Sequence, residues 1–177
     1  MPESRNHSLS VANRLAMTGN NEILLKEFLE KARKYCSYSE RCTAETTARL
    51  KQMGASFDQV ESIISALVQE GYLNDERYAG LFARSKFNHN QWGRIKIGYE
   101  LSARRIAPEN IRAALAGLDE QKYEEALLKI ISQKVRSLKG IPASVIKGKI
   151  IAYCLRKGFE PDLCSKLTEK FLISEMS

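Results

Sequence analysis

The sequence predicts an all-α protein of three tandem three-helix repeats that form an elongated, curved array. The first observation is that a segment of 18 residues with the same pattern of apolar positions recurs three times, at 50–67, 101–118 and 154–171. The copies start 51 and 53 residues apart, in the range of tandem helical units. The second observation is that helix signals divide each repeat unit, of which this segment is a part, into three helices, while no segment alternates long enough to predict a strand. Such units expose an extended surface, which favours a binding protein over an enzyme.

The first predicted repeat covers residues 21–72 and follows a tail, residues 1–20, that we predict to be disordered. Apolar residues at helical spacing over 23–35 predict its first helix. Capping residues and glycines predict the limits of the next two helices. They are Ser39 before the second helix, Gly54 after it, Ser56 before the third and Gly71 after it.

The second repeat is predicted at 73–118 and the third at 119–177. Asn74 precedes two carboxylates that complement the positive end of a helix. The second repeat's middle helix is predicted to begin at His89 or Asn90, and Pro108 occupies the first turn of its last helix. Prolines and glycines predict the remaining limits: Asp119 to Leu138 for a long helix, Gly140 and Pro142 before the next, and Gly158 and Pro161 before the last.

Positive charge is concentrated in the second half of the chain. Residues 1–83 carry 10 Lys/Arg and 11 Asp/Glu, whereas residues 84–177 carry 18 and 10. With a net charge of +7 and a pI near 9.3, this clustering is typical of a protein with a polyanionic partner. The alternative is a set of solvated helix faces. We predict a DNA- or filament-binding surface at Arg84, Lys86, Arg94, Lys96, Arg104, Arg105, Lys134, Arg136, Lys139, Lys147, Lys149, Arg156 and Lys157.

Aromatic residues accompany these bases in the segment 84–97 and just beyond it. Phe87, Trp92 and Tyr99 offer rings that could stack on nucleic-acid bases. A lone Trp beside Gly more often packs at a helix start, so we interpret Trp92 as a packing residue. The bases on the solvent side are therefore the better contact candidates.

No catalytic or metal site is predicted. The sequence contains no glycine-rich phosphate loop, HExxH pair or GxSxG elbow. The four cysteines lack the close pairing of a zinc site, and the repeat alignment predicts Cys154 and Cys164 as core residues. The sequence shows neither a secretory leader nor an apolar run that could span a bilayer, so we expect a cytoplasmic protein without membrane association.

The sequence resembles the RecX family of regulators of the RecA recombinase. The resemblance rests on three segments: YLNDERYAGLFARSK (72–86), WGRIKIGYEL (92–101) and RIAPENIRAAL (105–115). With the repeats it extends over about residues 22–172. The first repeat departs from the family, because CSYSERCTAE (36–45) stands where members often have an arginine-rich phrase.

The resemblance implies a bacterial cytoplasmic protein that binds the RecA–single-stranded DNA filament and limits ATPase and strand exchange. It further implies roles in DNA repair, homologous recombination and the SOS response, with no catalytic residues and no cofactor. We expect a monomer. Two alternatives stay open: sequence-nonspecific DNA or RNA binding without RecA, and a protein scaffold that does not depend on the basic residues.

Overall fold

The fold is all-α, as the sequence predicts. A computed structural model describes the backbone of residues 4–138 and 142–176, and the side chains of residues 21–138 and 142–174 except 143 and 144. The described residues form nine helices and contain no strand. The helices are α1 (Ser4–Tyr38), α2 (Thr43–Gln52), α3 (Phe57–Gln69), α4 (Asp75–Asn90), α5 (Arg94–Ala103), α6 (Pro108–Ala116), α7 (Glu120–Ser137), α8 (Ala143–Lys157) and α9 (Pro161–Met176).

The chain divides into two compact units, residues 1–74 and 75–177. The first contains α1 to α3 and the second α4 to α9. The limits of the three repeats stay a prediction, as does the disorder of residues 1–20, a segment outside the residues whose side chains are described.

The first unit has a core shared by all three of its helices. Ala32 of α1 packs with Leu50 of α2 and with Ile63 and Leu67 of α3. Ser56 begins α3 as predicted: its hydroxyl accepts the backbone N–H of Gln59, while the Gln59 side chain accepts the N–H of Ser56. This reciprocal capping satisfies two backbone donors at the helix start.

The predicted start of the second helix at Ser39 is wrong. Helix α1 continues to Tyr38, and Cys42 is the residue that precedes α2. The Cys42 side chain makes no capping hydrogen bond, but it is fully buried. Burial of this thiol in the core therefore sets the helix start, because apolar packing outweighs the capping preference of Ser39.

The second unit is organised around a line of three aromatic rings. Tyr123 of α7 lies with its ring centroid 5.5 Å from that of Phe87 in α4 and 5.0 Å from that of Phe159, between α8 and α9. All three rings are buried. Helices assigned to the second and third predicted repeats therefore share one core.

Most of the positions that the repeat alignment matches are buried, while Ile111 and Phe171 are half-buried. Leu50, Leu101 and Cys154, which occupy the same position in the three segments, have no exposed surface. All four cysteines are buried free thiols, which confirms that Cys154 and Cys164 belong to the core.

Within the described helices, none has an apolar stretch long enough to cross a membrane. Across the same residues, no three His, Cys, Asp or Glu side chains come close enough together to hold a metal ion.

Candidate polyanion-binding surface

Three basic side chains alternate with two aromatic rings along α4 and α5. The Arg104 guanidinium carbon lies 4.8 Å from the Phe82 ring centroid, and Lys86 Nζ lies 5.3 Å from the same centroid. Lys86 Nζ is also 5.1 Å from the Trp92 ring, and Lys96 Nζ is 4.4 Å from it. We call these five residues the α4–α5 basic strip. Cation–π attraction holds its positive groups near fixed positions.

Local sequence spacing builds most of this strip. Phe82 and Lys86 are four residues apart on α4, so they are neighbours on one helix face. Trp92 lies in the short connection between the helices, and Lys96 lies in the first turn of α5. The connection is therefore what brings Lys96 towards α4.

Two glycines dock the start of α5 against the end of α8. The backbone N–H of Gly93 donates to the Lys157 carbonyl (2.8 Å), and that of Ile95 donates to the Gly158 carbonyl (3.0 Å). A Cβ at Gly93 would lie 2.2 Å from the Gly158 carbonyl oxygen, and a Cβ at Gly158 would lie 2.3 Å from Lys96 Cβ. Only glycines permit this approach. The docking places Lys157 beside the strip, with its Nζ 3.4 Å from the Asn90 carbonyl oxygen.

The same docking explains why the predicted start of this helix at His89 or Asn90 is wrong. Both residues belong to α4, and α5 begins at Arg94 after Gly93. Backbone carbonyls at the end of α8 accept the N–H groups that a capping side chain would otherwise satisfy. A local capping pattern therefore could not locate this start.

Lys86, Lys96 and Lys157 carry charge that no carboxylate among the described residues neutralises. Each is half-exposed, and none forms an ion pair with another described residue. Positive groups in this state attract phosphate without first breaking an internal pair. These three lysines are the strongest candidates for contact with a polyanion.

Arg94, in contrast, forms ion pairs and a ring contact with other residues of the second unit. Its guanidinium pairs with Glu120 (2.5 Å) and Glu160 (3.5 Å) and lies 4.0 Å from the Tyr123 ring centroid. Its backbone N–H donates to the Tyr123 hydroxyl (2.8 Å), which donates to Glu160 (2.7 Å). Burial raises the pKa of Tyr123, so the hydroxyl keeps the proton that it donates. We therefore assign Arg94 a structural role.

Two further predicted residues have carboxylate partners. Arg104 donates to the Glu100 carboxylate and to the Glu100 carbonyl, both at 2.7 Å. Lys147 of α8 pairs with Glu169 of α9. Their charge is partly neutralised, so they contribute less to the attraction of a polyanion than the unpaired lysines.

A second group of bases surrounds Tyr153. Lys134 Nζ of α7 lies 5.2 Å from the Tyr153 ring centroid, and the Arg156 guanidinium carbon lies 5.8 Å from it. We call these three residues the α7–α8 basic cluster. The remaining predicted bases are exposed, except Lys139, which lies outside the described residues: Arg84, Arg105, Arg136 and Lys149.

The aromatic residues divide between core and surface. Phe87 is buried, Trp92 is half-buried beside two lysines, and Tyr99 is 74% exposed. Sequence reasoning missed Phe82 and Tyr153 as partners of the bases. The helical spacing of Phe82 from Lys86, or of Tyr153 from Arg156, could have identified them.

Comparisons with known proteins point to one family. Residues 74–115 match the family model described as RecX, second three-helix domain. The "Regulatory protein RecX" of Bacillus cytotoxicus is 29% identical over 143 residues, which cover 81% of this chain and 53% of that protein. The protein of the same name from Lactobacillus gasseri is 23% identical over 142 residues, which cover 80% and 52%. The chain thus spans about half the length of the curated relatives it matches.

Two solved structures have the same fold. The crystal structure of RecX from Lactobacillus salivarius superposes with a TM-score of 0.79 at 21% identity, covering 84% of this chain and 97% of that one. A second crystal structure, of a regulatory protein RecX, superposes with a TM-score of 0.75 at 21% identity and covers 86% and 77%.

Proposed function

The chain belongs to the RecX family of regulatory proteins, and from this premise we propose that it binds the RecA–single-stranded DNA filament. By binding, it inhibits or modulates RecA ATPase and strand exchange in DNA repair and recombination. We further propose that it acts in the cytoplasm as a monomer, without enzymatic activity or a cofactor.

The observation that carries this proposal is the group of unpaired lysines in the second unit. Lys86 and Lys96 flank Trp92, and the docked end of α8 adds Lys157. A single-stranded DNA filament presents closely spaced phosphates, which attract such a group and release counterions when it binds. The α7–α8 basic cluster adds further positive charge in the same unit.

Regulation in this proposal requires occupancy rather than chemistry. A protein that binds one state of an assembly shifts its equilibrium by the difference in affinity for the two states. If the chain binds the filament differently from free RecA, it changes filament lifetime and thereby ATPase and strand exchange. No reacting group has to be supplied.

The direct test adds the purified protein to RecA, single-stranded DNA and ATP. We expect ATPase, strand exchange and filament lifetime to change in proportion to occupancy. Unchanged values of all three at micromolar excess would contradict the proposal.

The alternative, nucleic-acid binding without RecA, gives a different result. It predicts that bare single-stranded DNA binds as tightly as the RecA filament. The proposed function predicts tighter binding to the filament, at the same salt concentration, in parallel fluorescence-anisotropy titrations.

A further inference from the structure

The last turns of α2, α5 and α8 have the same hydrogen-bond pattern. In each, one N–H donates to a carbonyl five residues earlier, and the preceding N–H donates to a carbonyl three residues earlier. This is the Schellman turn that closes many helices. In α2, the N–H of Ala55 donates to the carbonyl of Leu50, and that of Gly54 donates to Lys51. In α5 the corresponding bonds run from Ile106 to Leu101 and from Arg105 to Ser102. In α8 they run from Phe159 to Cys154 and from Gly158 to Leu155.

One residue in this turn must adopt a left-handed backbone conformation. Gly54 and Gly158 occupy that position in α2 and α8, with φ angles of +90° and +88°. Arg105 occupies it in α5, with φ of +57°. A side chain at positive φ brings Cβ against the backbone and costs free energy that glycine does not. Among these three turns of the described helices, two are therefore unstrained and one is strained.

No contact of the Arg105 side chain within the described part of the molecule compensates for this strain. The Arg105 side chain is exposed. It makes no hydrogen bond, ion pair or ring contact with any described residue. Its neighbour Arg104 differs, since it bonds Glu100 and lies over Phe82. Folding alone would thus favour glycine at position 105.

We propose that Arg105 is a phosphate-binding residue, retained in a strained turn because its guanidinium contacts the nucleic-acid backbone. Strained conformations concentrate at functional positions, where the contact made offsets their cost. Arg105 directly follows Arg104 in the sequence and adds one charge, without a partner among the described residues, to the unit that contains the α4–α5 basic strip. Guanidinium binds phosphate through two parallel hydrogen bonds. The inference rests on the proposed function, because it assumes that the second unit meets nucleic acid.

The test compares Arg105→Gly, Arg105→Lys and Gly54→Ala in the full chain. Each variant is measured for Tm and for binding to a fluorescent oligo-dT and to a RecA filament, over a salt series. We expect Arg105→Gly to raise Tm by about 2–4 °C, because the strain is released. We expect the same variant to lower the salt slope for bare DNA by about 0.7, which is about a fivefold loss of affinity at 0.1 M salt.

The other two variants separate charge from strain. Arg105→Lys keeps both the charge and the strained backbone, so its salt slope and Tm stay near wild type. Gly54→Ala introduces strain at the equivalent turn of α2, where no atom would contact the new Cβ. It should lower Tm by about 2–4 °C and leave DNA affinity unchanged.

Three results would overturn the inference. Wild-type DNA affinity in Arg105→Gly would mean that the arginine is merely tolerated. An unchanged or lower Tm would mean that the turn holds no strain. A loss of affinity for the filament alone would indicate a protein contact instead of phosphate. Failure of the proposed function would be seen separately, because the wild-type protein would then leave RecA activity unchanged. The oligo-dT affinity and the Tm of the variants would still test the role of Arg105.

Discussion

The two compact units have related helical architecture but different surface charge. Residues 1–74 contain 9 Lys/Arg and 9 Asp/Glu, whereas residues 75–177 contain 19 and 12, so the net charge of +7 belongs to the second unit. Both units close a helix with the same Schellman turn and bury equivalent positions, such as Leu50 and Leu101. The two units thus share buried core positions and differ in the net charge of their surfaces.

The use of positive charge differs in the same way. In the first unit Arg33 donates to Glu70 (2.8 Å) and also pairs with Glu30. In the second, Lys86 and Lys96 face aromatic rings and have no carboxylate partner among the described residues. Arg33 of the first unit therefore stabilises the fold, while Lys86 and Lys96 of the second unit are available to a partner. The first prediction below tests this difference in charge, and the later ones test the packing and the ion pairs that hold each unit together.

The largest effect is expected from charge reversal in the second unit. Replacing two lysines, Lys86→Glu and Lys96→Glu, should remove two of the proposed phosphate contacts and add repulsion. Binding to the RecA filament should weaken by at least about 25-fold at 0.1 M salt, measured by anisotropy. The matched control is Lys26→Glu with Lys34→Glu, two exposed lysines of the first unit, and it should change affinity by less than threefold. Equal losses of filament affinity in the two double variants would contradict the claim that only the second unit offers its lysines to the partner.

A single methyl group at the α5–α8 docking site should destabilise the second unit. In Gly93→Ala the new Cβ would overlap the Gly158 carbonyl at 2.2 Å, so we expect the free energy of unfolding to fall by about 3 kcal/mol. In the control Gly148→Ala, no atom lies within 4 Å of the new Cβ, and alanine should stabilise helix α8 by up to about 1 kcal/mol. Urea unfolding measures both. A loss below about 1 kcal/mol in Gly93→Ala would contradict the close approach.

Removal of one hydroxyl should have a smaller effect in the same unit. Tyr123→Phe leaves the Arg94 N–H without its acceptor and removes the hydroxyl hydrogen bond to Glu160, whose ion pair with Arg94 remains. We expect a loss of about 1–2 kcal/mol in the free energy of unfolding. The folded variant should bind the filament as wild type does, because Tyr123 is fully buried. A matching loss of affinity would show that this network belongs to the binding surface.

The smallest effect concerns acid stability of the first unit. The side-chain hydrogen bond from Arg33 lowers the pKa of Glu70 below its ordinary value of 4.5. A carboxylate with a lowered pKa stabilises the folded state above pH 4.5, and this contribution disappears as the pH falls through the folded-state pKa. Glu70→Gln should therefore be less stable than wild type at pH 7, and the difference should shrink as the pH falls from 4.5 towards 2.5, as measured by urea unfolding.

Glu61→Gln is the control for that measurement. Glu61 is exposed and forms no ion pair with a described residue, so this variant should match wild type at both pH values. A deficit in Glu70→Gln that persists in acid would show that the ion pair is not its cause.

Local signals in the sequence predict much of the fold. Ser56, Pro108 and Asp119 begin helices where their capping chemistry says they should. The starts of α2 and α5 could not be predicted in this way, because they depend on distant contacts. Cys42 is fixed by burial, and Gly93 by a carbonyl 64 residues further along the chain.

The sequence predicts which basic residues belong to the candidate site, but not which of them form ion pairs with carboxylates. Clustered bases identify the second unit, and the spacing of four residues between Glu100 in α5 and Arg104 directly after it predicts their ion pair. The partners of Arg94 are Glu120 and Glu160, which only the packing of α5 against α7 and the start of α9 brings near. The sequence alone therefore does not distinguish the basic residues that form ion pairs within the fold from those that are available to a partner.

The most direct test of the central claim is lysine acetylation of the protein bound to the RecA filament, read by mass spectrometry against the free protein. The account predicts that Lys86, Lys96 and Lys157 become protected on binding, while Lys26 and Lys34 react at the same rate in both states. Protection of Lys26 and Lys34 with no change at the three lysines of the second unit would contradict it.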